Sequence, residues 1–185
     1  MEAFLVSTGI VALAEVGDKT QLLSLLLAAR YKKTWLIIAA IFVATVLNHG
    51  LAGALGAWVA QQLGEQVLRW VLGFSFLAMA VWIMIPDRLD EDEEPRFRQL
   101  GVFGTTLILF FLAEIGDKTQ IATIALAAKF DSLAAVVMGT TVGMMLANVP
   151  VVLLGEKLSR ALPGKQVHIL AALIFAVLGL VALLG

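Results

Sequence analysis

Apolar residues dominate the chain in six long runs that are separated by short polar breaks. The runs cover residues 3–29, 34–60, 67–85, 100–128, 133–154 and 167–184. A helix needs about 20 apolar residues to cross the hydrocarbon core of a bilayer, and each run is close to that length or longer. The pattern therefore predicts an all-α membrane protein with six transmembrane helices.

The composition agrees with this prediction. Hydrophobic residues make up 61% of the 185 residues, which is more apolar surface than a soluble domain of this length can bury. Cysteine is absent, and this excludes disulfides and thiolate metal sites. Oxygen atoms, together with histidine, are the ligands that remain for a metal ion.

The two halves of the chain are related by a shift of 99 residues. Residues 13–21 read Leu-Ala-Glu-Val-Gly-Asp-Lys-Thr-Gln, and residues 112–120 repeat them with isoleucine in place of valine. The longest polar break lies between the halves. We therefore divide the chain into a first three-helix repeat (1–86), an acidic linker (87–99) and a second three-helix repeat (100–185). Because three is odd, the second repeat enters the membrane from the opposite side, as in the inverted repeats of many secondary transporters.

Positive charge predicts the orientation, because cytoplasmic loops carry an excess of lysine and arginine. The breaks after the first, third and fifth runs hold most of the 13 basic residues, whereas the opposite side holds only Arg69 and Lys129. We expect these three loops, the acidic linker among them, to be cytoplasmic. Both termini are then expected outside.

Both copies of the repeated motif fall near the middle of their runs, so their charges are expected near the bilayer midplane. An ionised residue at that depth costs on the order of 3 kcal/mol, and such groups persist only where they face each other or water. On one continuous helix, the glutamate, the aspartate three residues later and the lysine four residues later share a face. The candidate metal ligands are the four motif carboxylates, Glu15, Asp18, Glu114 and Asp117.

The charge of the two motifs favours one divalent cation. Each motif carries two carboxylates and one ammonium, so a single divalent ion neutralises the pair. We expect Lys19 and Lys118 to balance charge, with a simple ion pair to the glutamate of the same motif as the alternative. Oxygen ligands suit Mn²⁺, Ca²⁺ and Mg²⁺. Further ligands or pathway residues are expected among neighbouring polar side chains, namely Thr20, Gln21, Thr119, Gln120, Asn48 and Asn148.

Three local features leave alternatives open. An ideal helix does not place Thr20 on the face of Glu15, so either the helix breaks near Gly17 or the threonine packs elsewhere. His49 is a candidate proton relay, since imidazole exchanges protons near neutral pH; a hydrogen-bonded packing histidine is the alternative. Under the 99-residue shift His49 aligns with Asn148, whereas one gap would align the two asparagines instead.

Small residues and a second histidine complete the pattern. Glycines in the second and fifth runs predict close helix packing. His168 stands at the edge of the last run and is given no role. The glycines are Gly50, Gly53, Gly56, Gly139 and Gly143.

Two copies of E-x-G-D-[KR]-[TS] in a chain of six spans resemble the GDT family of cation transporters. The motif is complete at residues 15–20 and at residues 114–119, and the resemblance covers essentially the whole chain. It implies that the motif carboxylates bind the ion and that the protein moves Mn²⁺ or Ca²⁺ in exchange for protons. The short chain with minimal loops is similar to the bacterial members, which resemble manganese exporters of the inner (plasma) membrane.

The expected function is therefore Mn²⁺ export coupled to proton antiport. The ion is the transported substrate, and the protein is expected to lie in the lipid bilayer. No cofactor, enzymatic activity or nucleic-acid partner is expected. A Ca²⁺/proton antiporter is the alternative, because oxygen ligands do not separate the two ions. An intramembrane metal-dependent hydrolase would need a nucleophile or a histidine-rich metal set, and a non-transporting scaffold leaves the midplane charges unexplained. Monomer and homo-oligomer both stay open.

Overall fold

The computed structural model describes residues 1–85, 100–154 and 164–184, and the regular structure within these ranges is α-helical. The acidic linker expected at 87–99 lies outside the described residues. The helices assigned in the described ranges are α1 (Glu2–Glu15), α2 (Lys19–Tyr31), α3 (Thr34–Gln62), α4 (Glu65–Trp82), α5 (Gly101–Glu114), α6 (Lys118–Lys129), α7 (Leu133–Leu154) and α8 (Gly164–Leu184).

The first and fourth apolar runs are each divided into two helices. Residues 16–18 separate α1 from α2, and residues 115–117 separate α5 from α6. The expectation that each motif lies on one continuous helix is therefore wrong. Of the two alternatives for Thr20, the structure has the one in which the helix breaks near Gly17. The helices α3, α7 and Lys165–Leu184 of α8 are long and apolar enough to cross a bilayer, in agreement with a helical membrane protein.

Each break is a tight turn that the motif itself encodes. Val16 has φ −63° and ψ 117°, Gly17 has φ 83°, and the Asp18 amide donates to the Glu15 carbonyl at 3.0 Å. These values match a type II β-turn, whose third position needs a positive φ and therefore favours glycine. The aspartate that follows is the N-cap of the next helix. Residues 114–117 follow the same path, with φ 75° at Gly116.

The helices pack in pairs that join the two halves of the chain. Helix α1 packs against α7, α5 packs against α3, and α4 packs against α8. Under the 99-residue shift the first two of these contacts are equivalents of each other. The arrangement brings the break after α1 and the break after α5 to the centre of the molecule, where their polar side chains are buried.

Close packing at the glycines is confirmed at four of the five expected positions. A Cβ atom placed on Gly53, Gly56, Gly139 or Gly143 would meet another helix at less than 3 Å, whereas nothing lies within 4 Å of one placed on Gly50. The glycines of α7 therefore let α1 approach closely, whereas Gly50 makes no such close approach to the described residues.

Replacing Gly143 with alanine is expected to destabilise the protein. The added Cβ would lie 2.6 Å from the Thr8 carbonyl oxygen and 2.9 Å from the Ala12 amide nitrogen, and neither atom moves unless α1 shifts. Overpacking of this kind costs about 1–3 kcal/mol, so the Tm of the purified protein in detergent should fall. Gly9→Ala is the control, because nothing lies within 4 Å of a Cβ there. Equal Tm values for the two variants would contradict the close contact of α7 with α1.

Candidate cation site

Three carboxylates from the two motifs meet at the centre of the protein. Glu15, Glu114 and Asp117 each offer an oxygen atom, and these atoms lie within 4.8 Å of one another. The three side chains are at most 2% exposed. Like charges this close and this buried repel strongly unless a cation or protons neutralise them. We call Glu15, Glu114 and Asp117 the carboxylate cluster.

Part of the coordinating capacity of the carboxylate cluster is not used by the residues that the structure describes. Oε2 of Glu15 and Oε1 of Glu114 are buried and accept no hydrogen bond from the described residues. A buried carboxylate oxygen without a donor is costly. A bound cation would remove this cost.

The motif threonines donate to the carboxylates across each break. The Thr20 hydroxyl donates to Oε1 of Glu15. The Thr119 hydroxyl lies 3.0 Å from Oε2 of Glu114 and 3.3 Å from Oδ2 of Asp117. Each threonine lies in the first turn of the helix that follows the break, and the break is what brings the hydroxyl to the carboxylate. Both threonines, which the sequence offered as further ligands or pathway residues, therefore lie at the cluster.

A polar side chain of α3 and one of α7 lie beside the two glutamates. Asn148 Nδ2 donates to Oε1 of Glu15 at 3.1 Å, and its Oδ1 accepts a hydrogen bond from Ser24 at 2.7 Å. His49 Nε2 lies 3.7 Å from Oε2 of Glu114. His49 and Asn148 thus occupy equivalent places beside equivalent glutamates. The gap-free alignment of the two halves is the one that the structure follows.

The motif glutamines fasten the breaks. The side-chain oxygen of Gln21 accepts from the Gly17 amide at 2.9 Å, and its nitrogen donates to the Ala147 carbonyl at 3.0 Å. In the second motif, Gln120 accepts from the Gly116 amide at 2.8 Å and donates to Oδ1 of Asn48. The side-chain oxygens of both glutamines are therefore directed at backbone amides of the turns. They were expected as possible ligands, and the structure gives them this positioning contact.

Each lysine pairs with the aspartate of the opposite motif. Lys19 Nζ lies 3.3 Å from Oδ1 of Asp117, and Lys118 Nζ lies 4.0 Å from Oδ1 of Asp18. Asp18 is 2% exposed but is not a member of the carboxylate cluster. The ammonium groups therefore join the two motifs to each other, which a pairing within one motif would not do.

Two contacts at the breaks involve residues that the sequence left without a role. His168 Nε2 lies 2.6 Å from the Val16 carbonyl oxygen in the first break. Lys118 Nζ donates to the Ile85 carbonyl at 2.8 Å, just beyond the end of α4. The only sequence signal for His168 is a histidine at the edge of an apolar run, and this does not identify its partner.

The comparisons with known proteins agree with one another. The family model described as "Divalent cation/proton antiporter GDT1" matches residues 3–91 and 102–185. A protein of Vibrio cholerae named "Putative manganese exporter" is 53% identical over 181 residues, covering 97% of this chain and 90% of its own. A GDT1-like protein of Synechocystis is 26% identical over 200 residues, covering 98% and 97%. No solved structure matches the chain.

Proposed function

The chain belongs to the GDT1 family of divalent cation/proton antiporters, which are transporters and not enzymes, and we propose that it exports Mn²⁺ from the cytoplasm in exchange for protons. The observation that carries the proposal is the buried carboxylate cluster of Glu15, Glu114 and Asp117. A cluster of this kind at the meeting point of two broken helices suits an ion that is bound in transit. Asp18, held beside Lys118, completes the proposed set of ligand carboxylates.

The donor set supports a hard divalent ion. Carboxylate oxygens supply the charge, and the hydroxyl groups of Thr20 and Thr119 lie against the same carboxylates. Carboxylate and neutral oxygen ligands are those that Mn²⁺, Ca²⁺ and Mg²⁺ accept. Asn148, Gln21 and Gln120 act as positioning residues in this proposal, because they bond to a glutamate or to a turn. Asn48 acts through Gln120, from which its side-chain oxygen accepts a hydrogen bond. The preference for Mn²⁺ rests on the relative whose name gives manganese as its substrate.

The burial of the same carboxylates supports exchange with protons. When a divalent ion leaves, the buried negative charges have little solvent to screen them, so proton binding becomes the favourable way to neutralise them. Because the ion and the protons occupy the same oxygen atoms, each excludes the other. In this proposal His49, whose Nε2 lies 3.7 Å from Oε2 of Glu114, is the proton relay to that carboxylate.

The proposed architecture is six spans in two inverted three-helix repeats. The broken helices α1–α2 and α5–α6 each count as one span, as do the discontinuous helices of other transporters, which form ion sites at their breaks. Equivalent contacts under the 99-residue shift support the repeat: each motif glutamate meets α7 or α3 at position 148 or 49. The distribution of basic residues supports cytoplasmic first, third and fifth loops in a bacterial inner membrane.

A transport assay with three ions tests the ion assignment. Purified protein in proteoliposomes, with a pH gradient imposed, should move Mn²⁺ and release protons in return. Ca²⁺ antiport is the second candidate, because the same oxygen ligands accept it, and Ca²⁺ and Mg²⁺ should be tested side by side with Mn²⁺. If Ca²⁺ flux is faster than Mn²⁺ flux at equal concentration, and Mn²⁺ competes poorly, the transported ion would be calcium rather than manganese. Mn²⁺ uptake that is independent of the pH gradient would contradict the proposed coupling to protons.

A further inference from the structure

Some contacts around the site repeat in both halves of the chain. The rings of Phe76 on α4 and Phe175 on α8 are equivalent under the 99-residue shift, and their centroids lie 6.2 Å apart. Residues that contact their own equivalents lie at a local two-fold axis, so α4 and α8 are related to each other about these two rings. The cross-pairing of each motif lysine with the opposite aspartate obeys the same relation.

In the described part of the chain, the breaks bond to the α4–α8 pair through His168 and Ile85. Helices α4 and α8 run antiparallel, since Arg69 near the start of α4 donates to the Leu183 carbonyl near the end of α8 at 3.1 Å. Ile85 and His168 therefore lie together at the other end of the pair. Both breaks are bonded to that end, through His168 with Val16 and through Lys118 with Ile85.

The packing of the helices is asymmetric. Helix α4 packs against α6 and helix α8 packs against α1, while the equivalent pairings of α8 with α2 and of α4 with α5 are not made to a comparable extent in the described residues. A cavity of about 390 Å³ opens at the Arg69 end, lined by α4, α6 and α8 residues that include Leu72 and Lys129. The α4–α8 pair is therefore closed onto the breaks at one end and open at the other.

The 99-residue shift identifies the sequence counterparts of the contact between His168 and Val16. His168 corresponds to Arg69, and Val16 corresponds to Ile115. Arg69 is also a hydrogen-bond donor, but here it bonds to the Leu183 carbonyl within its own helix pair. Ile115 is 54% exposed, whereas Val16 is only partly exposed, so the second break is the more open of the two.

The residues of the contact between Lys118 and Ile85 have counterparts in the sequence as well. Lys118 corresponds to Lys19, and Ile85 corresponds to Leu184 at the end of α8. Lys118 lies 4.0 Å from Asp18 while it bonds to Ile85, whereas Lys19 lies at the shorter distance of 3.3 Å from Asp117. The longer of the two ion pairs is therefore the one made by Lys118, which also donates to the Ile85 carbonyl.

We propose that His168 and Arg69 are alternating latches, which hold the α4–α8 pair on one break in each of two transport states. In the state described here His168 donates to the Val16 carbonyl. In the opposite state Arg69 releases Leu183 and donates to the Ile115 carbonyl. The proposal rests on the proposed transport function and names positioning residues that act through the breaks.

The chemistry of the turns gives the reason for a donor at each latch. The carbonyl of the second residue in a type II turn makes no hydrogen bond inside the turn, and a carbonyl without water needs an external donor. Val16 and Ile115 both occupy this position. A donor on the α4–α8 pair can therefore stabilise one break at a time, and the pair shifts between two defined contacts.

Cysteine cross-linking tests the two states directly, because the chain has no cysteine of its own. One variant carries Val16→Cys with His168→Cys, and the other carries Ile115→Cys with Arg69→Cys. Both are reconstituted in proteoliposomes and treated with a short bifunctional methanethiosulfonate that a reductant can cleave. We expect both pairs to cross-link, with loss of transport that the reductant restores. Cross-linking of the first pair alone would overturn the second state, and cross-linking of neither pair would overturn the latch contact itself.

A second measurement separates a latch from a packing role. In the Ile115→Cys, Arg69→Cys background, His168→Leu removes the donor and should raise the cross-link yield several-fold. His168→Gln keeps a side-chain N–H and should leave the yield unchanged. An equal yield in both variants would overturn the role of His168. The cross-link yield is measured without any transported ion, so a failure to carry Mn²⁺ would count against the proposed function and leave this result standing.

Discussion

Glu114→Gln is expected to abolish Mn²⁺-driven proton flux in vesicles. The substitution keeps the size of the side chain but removes one negative charge from the carboxylate cluster, where Oε1 of Glu114 is buried without a hydrogen-bond donor from the described residues. Losing one partner of a buried charge pair costs about 3–5 kcal/mol. Since 1.4 kcal/mol is a factor of ten, the affinity for Mn²⁺ should fall by a factor of about 100 or more.

Binding and folding have to be measured separately in this variant. Mn²⁺ should raise the Tm of the wild-type protein, because an ion that binds only the folded state stabilises it, and this rise should be lost in Glu114→Gln. Glu2→Gln is the matched control, since Glu2 is an exposed glutamate at the start of α1, and it should keep both flux and Tm rise. Proton flux at the wild-type rate in a folded Glu114→Gln protein would contradict the assignment of Glu114 as a ligand of the ion.

The presence of two related acidic motifs is evident from the sequence. The repeat of residues 13–21 at 112–120, with one conservative change, is a local signal, and it is sufficient to identify two related acidic motifs. The positions of α3, α7 and α8 also followed from apolar runs of sufficient length. These features depend on the composition of short segments, which the sequence displays directly.

The breaks were harder to predict because hydrophobicity continues through them. Glu15 and Gly17 lie inside one apolar run, and a bilayer-length run favours an unbroken helix. The type II turn depends on the conformation of a single glycine, and that signal is weak since glycine is common in membrane helices. Thr20 gave the only hint, because it did not fit the face of Glu15 on a straight helix.

The pairing of the motifs with other elements could not be predicted at all. The partners of Lys19 and Lys118 lie in the opposite motif, and the partner of His168 is a backbone carbonyl 152 positions away in the chain. Such contacts are fixed by how α1, α5 and the α4–α8 pair pack in three dimensions. The sequence holds the donors and acceptors but not the distances between them.

Substitutions of Gly116 should reduce transport in an order that is set by backbone conformation rather than by size. Gly116 has φ 75° in the turn between α5 and α6, and nothing lies within 4 Å of a Cβ placed there. A left-handed conformation costs an ordinary residue about 1–2 kcal/mol, while asparagine adopts it more easily. We therefore expect the smallest loss of Mn²⁺ transport for Gly116→Asn, a larger loss for Gly116→Ala and the largest for Gly116→Val.

The reason for a transport defect, rather than only a stability defect, lies in what the turn carries. A change in φ at Gly116 rotates Asp117 away from Glu114 and moves the Gly116 amide away from Gln120, so the carboxylate cluster separates. Gly9→Ala and Gly9→Val are the controls, because Gly9 has equally open surroundings but no positive φ. Initial rates of Mn²⁺ transport should follow the left-handed preference at Gly116 and stay near wild type at Gly9. A Gly116 series in which the larger asparagine is worse than alanine would show that space, and not the turn, limits this position.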